Sequence, residues 1–217
     1  PCPNQQHPGD RHPFFGTAYD TLRGQLIQAT GVINGQVYQD TWTYNSATHA
    51  WQNKLPTGAL PVIIEQNMVY DPDSDIVVSY GGNVGGGSYN KTWHYSPSAN
   101  TWTQVATNGN PPALNSAGMV YDSVNKKIIL FGGTSYTVNS NEVWIYDVPT
   151  KTWTNPNPAN KPPAIYFPAM DFDTAKGVVL LYVGPNDLRT YNAATNVWQN
   201  LNITGGPAVY VGSDGPG

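Results

Sequence analysis

The sequence is poor in charged residues and has almost no cysteine. Of its 217 residues only 11% are Asp, Glu, Lys or Arg, and Cys2 is the single cysteine. The net charge of −4 includes no long run of either sign, so we expect no binding of nucleic acid. One cysteine excludes an internal disulfide and a cysteine-rich metal site. No apolar run approaches the roughly 20 residues that span a bilayer, so we expect no membrane insertion.

What the chain does contain points to a folded protein with an uncharged polar surface. Aromatic residues make up 12% of the sequence, which is enough for a sizeable core. The solubilising surface must then come largely from Asn, Gln, Ser and Thr, a balance that resembles secreted proteins. We therefore predict an extracellular or cell-surface location. Because the chain starts with Pro1 and not methionine, we also expect it to be processed or a fragment.

Large aromatic residues recur at a fixed interval of 51 residues, which identifies an internal repeat. The repeated positions are Trp42, Trp93 and Trp144; Trp51, Trp102 and Trp153; Met68, Met119 and Met170; and Tyr19, Tyr70, Tyr121 and Phe172, each followed by Asp. In the fourth unit Tyr191 and Trp198 follow Tyr146 and Trp153 by 45 residues, so six residues are deleted before them. The chain therefore holds four units.

Each unit has the pattern of short antiparallel strands separated by turns. Unit three shows it best, with four segments that read SAGMVYD, KKIILFGG, NEVWIYD and KTWTNPN. No helical periodicity is sustained, and Pro-rich stretches separate one unit from the next. Trp144 and Tyr146 fall on one face of the third strand because strand side chains alternate. The sequence predicts an all-β fold built from four-stranded units.

The repeat resembles the kelch family in a hydrophobic strand that ends in Gly-Gly, followed by a spaced Tyr and Trp. Gly81-Gly82 and Gly132-Gly133 match this pattern fully, whereas Gly31 and Gly184 keep only the second glycine and Arg189 replaces one tryptophan. The resemblance covers about residues 13–204 and implies a kelch-type β-propeller of four recognisable four-stranded blades, which can be part of a larger ring. We expect a linker at 1–12, blades at about 13–55, 64–106, 115–157 and 166–204, and a tail at 205–217.

Three features that could suggest ligand chemistry are better explained by structure. We interpret Trp144, Tyr146 and Trp153 as core residues between neighbouring sheets and not as an aromatic ligand platform. The acidic run DPDSD at 71–75 aligns with short turns in the other units, where Asp caps its own backbone, so calcium is not expected there. The segment HPGDRH at 7–12 could bring His7, Asp10 and His12 to one metal ion, but its Pro and Gly favour an exposed linker. We predict no metal site and no cofactor.

Propeller enzymes impose requirements that this sequence does not meet. A copper-radical oxidase of the galactose-oxidase group would need a cysteine inside the propeller, and Cys2 lies outside the repeats. A sialidase would need an arginine cluster, whereas this chain has only Arg11, Arg23 and Arg189. No nucleophile motif such as GxSxG occurs. We name no catalytic residue and favour a role other than catalysis.

The loops that vary between repeats offer the best candidates for binding, because a rigid scaffold positions such loops. The loops between strands two and three lie on the same rim as the connections between blades. Their candidate ligand-binding residues are Tyr38, Glu65, Asn83, Tyr89, Tyr136, Asn139, Tyr166 and Phe167. For Tyr38 and Tyr89, which repeat in register, a structural role is equally consistent with the pattern.

We therefore predict an extracellular recognition or assembly module that binds a protein or a glycan through this rim. The alternative is the propeller portion of a larger secreted, oxidase-like enzyme whose catalytic residues lie elsewhere. Four blades in an open arc would expose the apolar faces of both terminal blades, so we also expect self-association or another chain to complete the propeller.

Overall fold

The computed structural model describes residues 7–9 and 16–206. Within this part of the chain all regular structure is β-strand, arranged as four antiparallel four-stranded sheets and two short ribbons. We call the sheets blades one to four in chain order. Within each blade the strands lie side by side in sequence order, so every connection inside a blade is a hairpin. The predicted all-β fold of four-stranded blades is confirmed.

The strand bounds repeat from blade to blade. Blade one comprises Thr17–Asp20, Gln25–Ala29, Thr41–Asn45 and Ala50–Asn53. Blade two comprises Asn67–Asp71, Ile76–Tyr80, Thr92–Ser96 and Thr101–Val105. Blade three comprises Gly118–Asp122, Lys127–Phe131, Val143–Asp147 and Thr152–Thr154. Blade four comprises Ala169–Asp173, Val178–Gly184, Asp187–Asn192 and Val197–Asn200. The two ribbons pair Val32–Ile33 with Gln36–Val37 and Asn83–Val84 with Gly87–Ser88, within the loops that follow the second strands of blades one and two.

The turn after each first strand begins with an aspartate that caps it. The Oδ1 atom of Asp71 accepts hydrogen bonds from the backbone N–H groups of Asp73 (2.9 Å) and Ser74 (3.3 Å). The equivalent aspartates, Asp20, Asp122 and Asp173, cap their turns in the same way. The other two acids of the DPDSD run form ion pairs with neighbouring blades, Asp73 with Lys126 and Asp75 with Arg23. The run is a turn, as its alignment predicted.

A tyrosine and a tryptophan pack against each other across strands three and four of every blade. Tyr146 lies directly opposite Trp153, with ring centroids 4.6 Å apart. The same pair occurs as Tyr44–Trp51, Tyr95–Trp102 and Tyr191–Trp198, at 5.0–5.2 Å. Trp153 is only 3% exposed and also contacts Tyr80 of blade two, and Trp144 packs against the same core. The aromatic trio is a packing element between blades.

The double glycines allow neighbouring blades to approach closely. Gly82 and Gly133 have φ angles of 102° and 88°, in a backbone region that residues other than glycine rarely adopt. Their N–H groups donate to Leu114 O and Ile165 O, which belong to the connection into the next blade. A Cβ atom on Gly82 would lie 2.7 Å from Ile64 O. Gly184 differs from both, because it ends a continuous strand with no positive φ and no close neighbour.

The outer face of blade one is more exposed than the matching face of blade two. In blade two, Tyr95 and Trp102 are 0% and 3% exposed because that face packs against blade one. The equivalent residues of blade one, Tyr44 and Trp51, are only half-buried, and Tyr19 is exposed. Blade one thus presents an aromatic sheet face of the kind that contacts a preceding blade elsewhere in the chain.

Several predictions about the chain ends fall outside the described residues. Cys2, Asp10, His12 and residues 207–217 of the tail belong to this group. His7 is described, and its Nδ1 atom accepts a hydrogen bond from the N–H group of Gly9 at 3.0 Å. The proposed grouping of His7 with Asp10 and His12 therefore stays a prediction.

Candidate functional site

Three equivalent residues form a chain of backbone hydrogen bonds at the rim where the first strands begin. Glu65, Ser116 and Phe167 are 51 residues apart and adopt φ angles of 58°, 53° and 54°. The N–H group of Ser116 donates to Glu65 O at 3.1 Å, and that of Phe167 donates to Ser116 O at 2.8 Å. The backbone conformation is the same in blades two, three and four, but the side chains are acidic, hydroxylic and aromatic. We use the name channel mouth for these three residues together with the side chains that contact them, namely Asn83, Tyr136 and Tyr166.

Tyr136 joins the channel mouth from the loop after the second strand of blade three. Its hydroxyl donates to Glu65 Oε2 at 3.2 Å and accepts a hydrogen bond from Asn83 Nδ2. Tyr136 has a φ of 71°, a left-handed conformation that is uncommon for a bulky residue and often marks functional loops. Partial burial, followed by the nearby Glu65 charge, raises the pKa of Tyr136 to about 12. The hydroxyl is therefore a permanent hydrogen-bond donor at neutral pH.

Two more aromatic side chains extend the channel mouth on the side of blade four. The rings of Tyr166 and Phe167 pack against each other with centroids 5.0 Å apart and planes at 59°. Tyr166 is 51% exposed and Phe167 46% exposed, and Tyr136 is also 51% exposed. Aromatic rings that remain this accessible beside polar groups are typical of recognition surfaces. The mouth thus combines apolar surface with a carboxylate, an amide and a phenol.

The other predicted site residues lie away from the mouth. Tyr89 is half-buried against the core between blades one and two, where its hydroxyl accepts a hydrogen bond from Trp93 Nε1 at 3.4 Å. Tyr38 lines a separate groove of about 450 Å³ beside Leu55. Asn139 lines another groove of about 340 Å³. Whether any of these residues binds a ligand stays a prediction.

A cavity of about 260 Å³ lies between the four first strands, below the mouth. Its lining residues are Thr17, Asn67, Met68, Ala117, Gly118, Met119, Pro168, Ala169 and Met170. The position of Asn67 is occupied by Gly16, Gly118 and Ala169 in the other blades. At Gly118 the missing side chain makes room for Met170, because a Cβ atom there would lie 2.4 Å from Met170 Sδ. Asn67 is only 2% exposed, and among the described residues its Nδ2 atom has no hydrogen-bond partner.

Sequence reasoning missed Asn67, although the repeat contained a signal for it. Aligning the blades sets one polar side chain, Asn67, against two glycines and an alanine at the position immediately before Met68, Met119, Met170 and Thr17. Such a departure in a buried position indicates either a special contact or a ligand. The alignment alone could not show that the position faces a cavity.

Membrane-spanning helices and metal-binding clusters were both sought among the described residues. Among residues 7–9 and 16–206, no helix is long and apolar enough to cross a membrane. In the same part of the chain, no group of three or more His, Cys, Asp or Glu side chains is arranged to hold a metal ion.

Comparison with known families agrees with the repeat and the blade geometry. A family model described as the KLHDC2/KLHL20/DRC7 Kelch-repeats domain matches residues 16–210. The chain belongs to the kelch-repeat family. Its four sheets are accordingly blades of a kelch-type β-propeller, and the predicted resemblance is confirmed.

Individual kelch-repeat proteins are similar to this chain at modest identity. The Rab9 effector protein with kelch motifs of Mus musculus is 25% identical over 167 residues, which are 76% of this chain and 43% of that protein. Mei4-dependent protein 6 of Schizosaccharomyces pombe is 25% identical over 157 residues, 63% of this chain and 22% of that protein. Multiple epidermal growth factor-like domains protein 8 of Mus musculus is 25% identical over 148 residues, 64% of this chain and 5% of that protein. The chain spans less than half the length of these relatives.

Proposed function

We propose that this chain is a recognition module that binds a protein partner through the channel mouth. The observation that carries the proposal is the convergence of Glu65, Asn83 and Tyr136, which come from three separate segments and join in one hydrogen-bonded cluster. Tyr166 and Phe167 add accessible aromatic surface next to it. A rigid scaffold that presents variable loops in this way is the usual arrangement of a binding surface.

The chemistry of the mouth suits a polypeptide surface. Exposed aromatic rings supply contact area with little loss of side-chain entropy, and such residues are enriched among those that dominate protein interfaces. The carboxylate of Glu65 can accept hydrogen bonds from a partner in addition to the one from Tyr136. The name of the Mus musculus relative, an effector of Rab9, supports a protein over a glycan as the class of partner.

We propose a location outside the cell, supported by the low content of charged residues, 11%, and the resulting amide- and hydroxyl-rich surface. Expression of the full-length gene product with fractionation of cells and medium tests this. Recovery in the cytosol alone would refute it. The alternative role within a larger secreted enzyme would be supported by a flanking domain that carries His and Tyr metal ligands.

Array binding by loop variants tests the proposed surface. Tyr136→Ala and Tyr166→Ala remove exposed side chains, so we expect folding to be retained while binding to protein features of an array weakens. Val124→Ala is the matched control, since Val124 is 60% exposed in a turn at the opposite rim. Profiles identical to wild type for both tyrosine variants would refute the proposal. Binding confined to glycan features would refute the protein class of the partner.

We further propose that the exposed aromatic face of blade one associates with another blade, either of a second copy or of a further segment. Tyr44 and Trp51 occupy the positions at which Tyr95 and Trp102 become buried when blade two packs against blade one. Light scattering coupled to gel filtration should therefore detect dimers or larger assemblies of this chain. A soluble, cooperatively folding monomer of about 23.5 kDa would show that four blades suffice.

A further inference from the structure

We propose that the partner segment bound at the channel mouth carries an arginine whose guanidinium group pairs with Glu65. This inference rests on the proposed function, because it names the chemistry of the partner that the same surface binds. It is supported by the single charge of the mouth, by the direction of its side-chain hydrogen bonds and by its accessible aromatic rings.

Glu65 is the only group of the channel mouth that is charged at neutral pH. The other members are an asparagine, a serine, a phenylalanine and two tyrosines. On the same rim, Glu142 pairs with Lys161 at 2.6 Å. Asp187 likewise pairs with Arg189 at 2.7 Å. Glu65, which is only half-buried, forms no ion pair with any lysine or arginine in the described part of the chain, so its charge is available to a partner.

The side-chain hydrogen bonds of Asn83 and Tyr136 run toward the Glu65 carboxylate. The N–H group of Gly86 donates to Asn83 Oδ1 at 2.9 Å, which orients the amide so that its Nδ2 atom faces Tyr136. The Tyr136 hydroxyl accepts that bond and donates to Glu65 Oε2 at 3.2 Å. A carboxylate can accept about four hydrogen bonds, so Glu65 keeps free acceptor capacity. The cluster therefore holds the carboxylate in place for a hydrogen-bond donor.

The aromatic rings of the mouth favour arginine over lysine as that donor. A guanidinium group is planar, donates several hydrogen bonds in a fixed geometry and stacks on aromatic faces. Tyr136 stays half exposed while its hydroxyl bonds to Glu65, and Phe167 exposes its ring at the same rim. An acidic group of a partner would be repelled by Glu65, and the net charge of −4 acts in the same direction at longer range.

The structure of the mouth does not itself require a negative charge at position 65. Ser116 and Phe167 adopt the same backbone conformation without a carboxylate. A glutamine side chain could also accept the hydrogen bond from Tyr136, because its carbonyl oxygen is an acceptor. Glu65→Gln therefore removes the charge and keeps the acceptor, which separates a role in binding from a role in folding.

A titration with an arginine derivative tests the pairing without a natural partner. The probe is N-acetyl-arginine methylamide, and its control is the corresponding citrulline derivative, which has nearly the same shape and no charge. The backbone amide signals of Glu65 and Ser116 are followed in ¹⁵N-labelled protein. We expect a saturable shift with the arginine derivative and none with the citrulline derivative. In Glu65→Gln the dissociation constant for arginine should rise about fivefold, as expected for a partly exposed ion pair.

Asp73→Asn is the matched control, because it removes one negative charge from an exposed turn at the opposite rim. It should leave the arginine titration unchanged. Equal shifts with the citrulline derivative, or an affinity that is unchanged in Glu65→Gln, would overturn the pairing. Equal weakening in Asp73→Asn would mean that only the net charge of the protein matters and would overturn it as well.

Array binding separates failure of this inference from failure of the proposed function. If array features are lost in Tyr166→Ala but kept in Glu65→Gln, the mouth binds a protein through other groups, and only the arginine pairing is refuted. If neither Tyr136→Ala nor Tyr166→Ala changes the array profile, the proposed function is refuted even where the arginine derivative binds. The assignment of the cation to a partner is then refuted with it.

Discussion

A hydrogen bond between tryptophan and threonine crosses two of the three blade interfaces, and its absence from the third gives a sharp prediction. Trp102 Nε1 donates to Thr41 Oγ1 of the preceding blade, and Trp153 Nε1 donates to Thr92 Oγ1, both at 2.9 Å. At the third interface the position of the threonine is taken by Val143. The Nε1 atom of the equivalent Trp198 is accordingly buried without a partner among the described residues.

Exchanging threonine and valine at these positions isolates the hydrogen bond, because the two side chains have nearly the same shape. Thr92→Val leaves the buried Trp153 N–H without an acceptor, so the free energy of unfolding should fall by about 1–3 kcal/mol. Val143→Thr supplies the acceptor that Trp198 lacks and should raise it by about 0.5–1.5 kcal/mol, the net contribution of one such bond. For a chain of this size each 1 kcal/mol corresponds to about 2–4 °C in Tm.

Urea denaturation followed by tryptophan fluorescence measures both effects, and thermal unfolding provides an independent check. The double variant, Thr92→Val with Val143→Thr, should lie between the two single variants, because the two interfaces flank blade three without sharing a partner. A loss of stability in Val143→Thr equal to that in Thr92→Val would refute the reasoning. It would show that burying a hydroxyl outweighs satisfying the indole.

Two further predictions follow from the packing between blades. Trp102→Ala or Trp153→Ala should lower the free energy of unfolding by roughly 3–5 kcal/mol, because each removes a buried ring. An unchanged unfolding midpoint together with lost binding would instead favour the interpretation of these residues as an aromatic ligand platform. Burial, and then the charge of Lys151, lowers the pKa of His94 from 6.5 to about 4. The unfolded chain therefore binds more protons, and stability should fall as pH drops from about 6.5 to 4, by about 2 kcal/mol after allowing for partial exposure. Threonine is native at the equivalent positions 43 and 190, so His94→Thr suits the blade and should reduce this pH dependence of stability. An unchanged dependence of the unfolding free energy on pH would contradict the role assigned to His94.

The repeat made the blades predictable because the same Tyr–Trp contact recurs within every blade. Once Tyr146 and Trp153 are recognised as a repeated pair, their cross-strand packing follows from the alternation of side chains. The aspartate turns were predictable for a similar reason, since Asp71 bonds to its own turn and needs no distant partner. Local chemistry and repetition together specify this part of the structure.

The channel mouth could be predicted only as a set of loops. That Tyr136 contacts Glu65 depends on how blades two and three are oriented, and the two residues are 71 positions apart in the chain. Tyr38 and Asn139 carried the same signal, a polar or aromatic residue in a variable loop, yet they line other grooves. Loop sequence indicates exposure, but the position of a loop on the rim is set by tertiary packing.

The central claim is that partners bind at the channel mouth, and site-specific photo-cross-linking tests it most directly. A photoreactive phenylalanine analogue is placed at Tyr166, and in a second protein at Val124, which is somewhat more exposed and lies in a turn at the opposite rim. Each protein is mixed with an array-selected partner and irradiated, and cross-linked product is quantified. We predict covalent product from position 166 and only background from position 124. Equal yields from both positions, or product from position 124 alone, would contradict the claim.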